Sequence, residues 1–438
     1  MSSTIVALST PVGRSAIAVI RMSGTDAISI ARKVALPFPS RPNMLKVCKI
    51  TTQHFTEHAM CVYFTAPHSY TGEDSVEFHC HGGVVIFQAI IDTCLSFGAV
   101  MAQNGEFSKR AFINGKMNLS NTEGVIEMID AETTSAVKAG ETLLNNRLGQ
   151  TTLALQDKLT DILAQTEVTL DYPEEDLELP TKKQLTISIS LLVSQIDKLL
   201  ATSAVGKIIK YGINIAIVGK TNVGKSSLLN CLLGCERAIV SSIAGTTRDT
   251  LTESIIYKDT KFNFVDTAGL RLTDNEIELE GIRRAKKVIS SADVILYLVD
   301  NLDEYSSSEI DTLTTSPIIK VYNKIDTYLP PKELKPNEIC ISATRDINID
   351  TLKEKIYSMF KLGDIQESDL ILTNLRHIEC LQSANNALNK ALVELESNTL
   401  DCVSINLKTA WDALGKITGT TATEDIIDRI YSKFCLGK

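Results

Sequence analysis

The feature that most constrains the fold is Gly219-Lys-Thr-Asn-Val-Gly224-Lys225-Ser226, placed between an apolar segment, Ile213–Val218, and a helical one running from Ser227 to Leu233. The string fits G-x-x-x-x-G-K-S/T, in the strand-loop-helix setting that such a phosphate-binding loop requires. Its glycines let backbone N–H groups wrap phosphates at the positive end of a helix. Lys225 then reaches the β- and γ-phosphates and the Ser226 hydroxyl is a magnesium ligand, with Asn222, Val223, Gly224 and Ser227 completing the cradle. The surrounding sequence agrees. Between Tyr211 and Lys361 the apolar runs INIAIV, ESIIY, KFNFVD, DVILYLVD, IIKVY and EICIS alternate with helical patterns, which predicts a doubly wound α/β sheet.

Further motifs follow in a fixed order. Asp266-Thr267-Ala268-Gly269 ends the run KFNFVD, where a carboxylate can hold magnesium through water and a glycine N–H can sense the γ-phosphate. Asn323-Lys324-Ile325-Asp326 follows IIKVY. The Asp326 carboxylate can accept from the two adjacent N–H groups of a guanine edge, which adenine lacks, so the site selects GTP over ATP. Ser342-Ala343-Thr344 after EICI matches the last base-contacting loop. Between the phosphate loop and DTAG lies Gly245-Thr246-Thr247-Arg248-Asp249, in the position of the loop that closes over the γ-phosphate. Thr247 is its magnesium ligand and Arg248 a candidate for direct charge stabilisation, the plain turn being the alternative. Many small GTPases carry a water-orienting glutamine directly after DTAG, but here that position is Leu270. A glutamate of the following stretch, Glu276 to Glu280, can take that role, or the stretch is a solvated helix start.

A chain of 438 residues exceeds one ordinary core. Its 44% hydrophobic and 22% charged residues are the usual soluble mixture. The net charge of −9 gives no global pull toward nucleic acid, so RNA contact needs a local basic patch. No basic and apolar leader opens the sequence and no apolar run is long enough to span a bilayer, which predicts a cytoplasmic chain whose ten scattered cysteines are thiols. Residues 1–118 read as a strand-rich α+β domain, with strands at Thr4–Leu8, Ala16–Arg21, Val62–Phe64 and Val76–His79. Residues 119–207 are helical, broken by DYPEEDLELP from Asp171 to Pro180; residues 208–368 form the nucleotide-binding domain, and 369–438 are helical again. A helical tail of about 70 residues is marginal alone, so it is expected to pack with the earlier helices and make the central domain an insertion. His79-Cys80-His81 looks metal-like, but alternate strand residues face opposite ways and no third ligand is apparent, which favours a structural or substrate-lining role.

With these residues in place, the chain resembles the MnmE (TrmE) family of GTPases that modify wobble uridine 34 of tRNA, over essentially its whole length. TIVALSTPVGRSAIAVIRMSG, HSYTGEDSVEFHCHGG, NGEFSKRAFINGKMNLSNTEGV, the nucleotide-site set with AGTTRD, and the C-terminal FCLGK carry the match. The resemblance implies a multidomain α/β and α+β protein: an N-terminal α+β folate-binding-like domain, a helical domain and an inserted P-loop α/β G domain. It implies a homodimer built through the N-terminal domains, and a heterotetramer with the FAD-dependent MnmG (GidA) subunit. Together these add an aminomethyl-type group, carboxymethylaminomethyl, at C5 of uridine 34 of certain tRNAs, with a carbon from 5-formyltetrahydrofolate.

By position, Arg21, Glu77, Lys116 and Lys438 would contact that folate and Glu278 would orient the attacking water. Asn222 would coordinate potassium with Ser241, Ile243 and Thr246, in a loop that also holds Ser242 and Ala244. The family more often has threonine at position 241, and serine keeps the oxygen. On residue type alone Arg21 and Lys116 read equally as surface charges. Cys435 lies at the end of the amphipathic stretch Asp425–Phe434, where a flexible tail would deliver it into an active site or leave it a free surface thiol. Glycine and lysine after it fit lipidation poorly. Two other readings stand beside this one: a GTPase switch in ribosome assembly, and a folate-dependent one-carbon enzyme regulated by GTP.

Overall fold

The computed structural model describes residues 3–171, 178–220, 222–234, 252–266, 289–300, 315–328, 331, 333–360, 370–397 and 400–437. In chain order the N-terminal part holds β1 (Ile5–Leu8), β2 (Ser15–Ser23), α1 (Ala27–Val34), β3 (Ala35–Leu36), β4 (Lys46–Thr51), β5 (Thr56–Phe64), β6 (Ser75–Gly82), α2 (Val84–Ser96), β7 (Val100–Met101) and α3 (Glu106–Ile113). Five helices follow: α4 (Leu119–Asp130), α5 (Thr134–Leu144), α6 (Arg147–Asp171), α7 (Glu178–Ala201) and α8 (Ser203–Tyr211). The central part holds β8 (Ile213–Gly219), α9 (Lys225–Gly234), β9 (Thr252–Tyr257), β10 (Thr260–Asp266), β11 (Val294–Val299), β12 (Ile318–Tyr322), β13 (Glu338–Cys340) and α10 (Ile349–Ser358). The chain ends with α11 (Leu375–Glu396), α12 (Leu400–Thr418) and α13 (Glu424–Tyr431). It divides into two compact units, one made of residues 1–129, 140–196 and 379–438, the other of 130–139 and 197–378.

In the first unit the described strands form a sheet of order β3-β4-β5-β6-β2-β1-β7, antiparallel except where β7 runs parallel to β1. Strand alternation sorts its side chains. Ala18, Ile20 and Met22 of β2, with Val76 and Phe78 of β6, enter the core against α1 and α2. Arg21 and Glu77, half-buried, take the opposite face and are register partners. Four thiols, those of Cys48, Cys61, Cys80 and Cys94, lie buried in this sheet layer, and burial pushes the first and third up to about 11. They are inert at neutral pH.

Among the helices of this unit, α6 packs along α12. Leu155, Leu159 and Ile162 on one, and Val403, Leu407 and Leu414 on the other, are buried at helical spacing. Two hydrogen bonds fix the pair: Gln156 Nε2 donates to Trp411 O at 3.1 Å, and Trp411 Nε1 to Thr160 Oγ1 at 3.1 Å. Helix α13 closes the unit. Its Ile430 and Tyr431, and Phe434 beyond it, cluster with Leu119 and Phe112. Gly105 lets it approach, because a Cβ there would lie 2.5 Å from Tyr431 O.

Two expectations are corrected. The interruption expected as far as Pro180 ends by Glu178, since α7 begins there and Pro180 sits in its first turn, where no intrahelical donor is lost. The helical stretch Lys182–Tyr211 is long and apolar enough to cross a membrane by length and composition, against the expectation of no such run. Its Leu185, Ile189, Leu192 and Ile196 recur on one face and are buried, while Ile187 and Leu191 on the other side are exposed.

The described strands of the second unit form a sheet of order β13-β12-β11-β8-β10-β9. Its pairings are parallel except the β9–β10 hairpin. Ile215, Ile217, Phe262, Phe264, Leu296, Leu298, Ile319 and Val321 make its core with Leu228 and Leu232 of α9 and Ile356 of α10. Parallel strands buried on both faces are near-continuous apolar runs, which is why each was readable as one.

Candidate functional site

Parallel register brings the nucleotide motifs to one end of this sheet. Ile217 of β8 faces Asp266 at the end of β10, and Gly219 faces Leu298 of β11. Beyond Gly219 the chain turns back into α9, which starts at Lys225. Lys225 and the exposed Ser226 therefore occupy the first turn, where backbone N–H groups have no intrahelical acceptor. Asn222 has φ +64° and Gly224 φ +97°. At Gly224 a Cβ would lie 2.2 Å from Asn323 Nδ2, so only glycine lets the loop lie this close to β12.

Asn323 braces that contact with both ends of its amide. Nδ2 donates to Val223 O at 2.9 Å and Oδ1 accepts from Ala343 N at 3.1 Å, tying the phosphate loop to the Ser342-Ala343-Thr344 segment. Lys324 Nζ donates to Asn222 O at 2.7 Å and to Asp300 Oδ2 at 2.8 Å. Asp326 is exposed, and its Oδ1 accepts from the buried Ser342 hydroxyl at 2.6 Å. That hydrogen bond, with the nearby Arg345 charge, holds the carboxyl below the usual carboxylate range. Lys225 Nζ donates to Gly219 O at 2.8 Å and Lys220 O at 2.6 Å, lying across the loop it serves.

Ser241, Ser242, Ile243, Ala244, Gly245, Thr246, Thr247, Arg248, Thr267, Ala268, Gly269, Glu278 and Lys438 lie outside the described residues, as does the side chain of Asp266. Two participants escaped sequence reasoning. Asp300 follows the apolar run of β11, a strand-end carboxylate that motif spacing alone does not flag. Asn323 was read for the base, and its amide also clamps the phosphate loop.

The N-terminal residues gather around one loop. Arg21 Nε donates to Glu77 Oε1 at 2.9 Å, and its guanidinium lies 5.1 Å over the Tyr70 ring. His79 Nε2 stands 3.4 Å from Glu77 Oε2. The neighbouring His79 ring and the Arg21 guanidinium outweigh burial and hold the Glu77 carboxyl below its ordinary value. Tyr70 is fixed by its hydroxyl to Ser108 Oγ at 2.7 Å. Lys116 does not touch Arg21 in any described contact; its Nζ donates to Pro67 O at 3.0 Å, on the same loop.

Cys435 is exposed, but the tail carrying it is seated and not free as a flexible arm would be. Gly437 is buried with φ +88°, its Cβ position 2.1 Å from Leu8 O, and its carbonyl accepts from Ser9 Oγ at 3.0 Å. Leu8 is one residue along β1 from Ala7, the register partner of Arg21. The tail after Cys435 therefore ends on β1, the strand beside the one that carries Arg21.

Two family descriptions match the chain: the GTP-binding protein TrmE N-terminus over residues 4–116, and the MnmE helical domain over 119–435. The tRNA modification GTPase MnmE of Thermoanaerobacter sp. (strain X514) is 38% identical over 99% of both chains. That of Clostridioides difficile (strain 630) is also 38% identical over 99% of both. Among solved structures, Aquifex aeolicus Era bound to GDP.AlF4- matches 40% of this chain and 66% of that one, at 30% identity and a TM-score of 0.28. A guanine-reading loop set on a P-loop sheet, an N-terminal sheet and interrupted helices matched by their own family descriptions, and relatives aligned from end to end leave one assignment: the chain belongs to the MnmE family of tRNA modification GTPases.

Proposed function

We propose that this chain is a GTP hydrolase of tRNA modification, potassium-dependent, that acts as a homodimer with an FAD-dependent partner on the wobble uridine. Asp326 takes the guanine N–H pair on a carboxylate already fixed by Ser342. Lys225 exchanges its two carbonyl partners for phosphate oxygens, and the first-turn N–H groups of α9 complete the cradle. The exposed Ser226 hydroxyl beside Lys225, and the exposed left-handed Asn222, fit a divalent and a monovalent cation respectively. Magnesium on Ser226 and Thr247 and potassium on Asn222, Ser241, Ile243 and Thr246 would place positive charge against the γ-phosphate, while the folate would supply a carbon and the partner's FAD a redox centre. Glu278 would orient water and Arg248 add charge in the same site. In the N-terminal unit, Arg21, Glu77 and Lys116 would hold the folate, with Lys438, beside the thiol of Cys435.

The observation that supports a role for the tail is the seat of Gly437 on Leu8, one strand from Arg21. It supports a thiol acting at the folate-binding surface and not at the nucleotide. The test measures C5 modification of uridine 34 in tRNA from a strain lacking this chain, and initial GTP hydrolysis in potassium and sodium chloride at equal ionic strength. Loss of the modification and faster hydrolysis in potassium are expected. Normal uridine 34 in that strain would overturn the tRNA reading, and equal rates would overturn the potassium site.

A further inference from the structure

The turn between β9 and β10 carries a contact that nucleotide binding does not need. Lys258 and Asp259 both have positive φ, +46° and +59°. This matches the twist of a two-residue hairpin but usually calls for Asn or Gly. Asp259 turns this strained position outward. Its Oδ1 accepts from the backbone N–H of Thr134 at 2.7 Å, and its Oδ2 accepts from the N–H of Ser135 at 2.8 Å and the Ser135 hydroxyl at 2.6 Å. Thr134 is the first residue of α5, so a carboxylate about 125 residues away in sequence caps this helix beside the local Thr133 hydroxyl, which accepts from Ala136 N–H at 3.2 Å. One step along β10, Lys261 Nζ pairs with Glu132 Oε2 at 2.5 Å. Partial burial pushes the Asp259 carboxyl up, and the hydrogen bonds from Ser135 and Thr134 more than offset this and hold it below its ordinary value.

The other end of the hairpin lies in the nucleotide site. AGTTRD closes just before β9, and Asp266, first residue of DTAG, ends β10. In sequence, the two segments proposed to sense the γ-phosphate flank one ladder, about 20 Å long at ~3.4 Å per residue, whose tip caps α5. Six register pairs, from Thr260 with Tyr257 to Val265 with Thr252, lock the strands together, so the ladder moves as a piece. The tip is also braced from within the unit, since Tyr257 Oη donates to Glu354 Oε2 at 2.8 Å and Lys258 Nζ pairs with it at 2.6 Å.

We propose that Asp259 is a latch through which the nucleotide state is felt at the N-terminus of α5, a positioning residue and not a catalytic one. The proposal rests on the GTPase reading above. Amide hydrogen exchange of the full chain tests it, with GDP and with GDP plus aluminium fluoride in potassium chloride, for wild type, Asp259→Ala, Asp259→Asn and Ser135→Ala. In the wild type, exchange over residues 133–144 should differ between the two nucleotide states. Asp259→Ala, which removes the acceptor of two backbone N–H groups, should raise exchange there about tenfold in both states and erase the difference. Asp259→Asn keeps one acceptor oxygen and should retain part of the response. Ser135→Ala removes one donor without touching the hairpin, and should weaken the response even if Asp259→Ala lowers the melting midpoint. Identical exchange in the two states for the wild type, or a full difference surviving in Asp259→Ala, would overturn the latch. A wild type that binds no guanine nucleotide would sink the GTPase reading itself, and the latch with it.

Discussion

Asp326, proposed to take the guanine base, has its carboxylate already set, because Ser342 donates to it and is itself buried. Asp326→Asn replaces an acceptor by a donor at the atom that faces the guanine N–H pair. GTP affinity should fall about 100-fold, on the order of 3 kcal/mol for hydrogen bonds to a charged group. Xanthosine triphosphate, whose C2 carbonyl accepts from the new amide, should bind the variant better than GTP does; competition binding with both nucleotides checks this. At Glu77 the sign of a pH effect follows from its surroundings. The folded-state carboxyl lies below its unfolded value, so its stabilisation is present above about pH 4.3 and is lost as pH falls through the folded value. Denaturant unfolding of Glu77→Gln should show a loss of about 1 kcal/mol at pH 7, the scale of a partly exposed ion pair, and a difference that closes at strongly acid pH.

The α6–α12 pair joins two helices of the first unit across a long gap in sequence. Leu407 is fully buried in that pair, and Leu407→Ala should cost about 2–5 kcal/mol. Urea unfolding followed by Trp411 fluorescence reads it, since that indole is hydrogen-bonded to Thr160 on α6. Guanine nucleotide affinity should stay near wild type. Elements of this kind were legible where burial imposes a period. The six apolar runs expected as strands coincide with β8 to β13, and Leu155, Leu159 and Ile162 lie on the buried face of α6. The N-terminal sheet was legible only in part. Strand β4, KVCKIT, is too short and too charged to stand out, and α2 is apolar on nearly every face, so neither period shows. The phosphate-loop, NKID and SAT segments were readable because each is contiguous. Asp300, Asp259 and Gly437 were not, because each acts on a partner 24, 125 or 428 residues away.

Over the whole molecule, nucleotide chemistry and the tail thiol lie in different compact units. Cys435→Ser should therefore leave GTP hydrolysis within about twofold of wild type, since an exposed surface substitution away from the site costs little, while tRNA modification measured on the same preparation is lost. Loss of both together would make the tail a folding element. The same division has a consequence in time. Helix α6 is complete at Asp171, but α12, which packs along it, begins only at Leu400. At about 5–20 residues per second, roughly 10 to 50 s of synthesis separate them. Throughout that interval α6 is without the helix it packs along while most of the other unit is synthesised in between, so the first unit can close only after the second has been made.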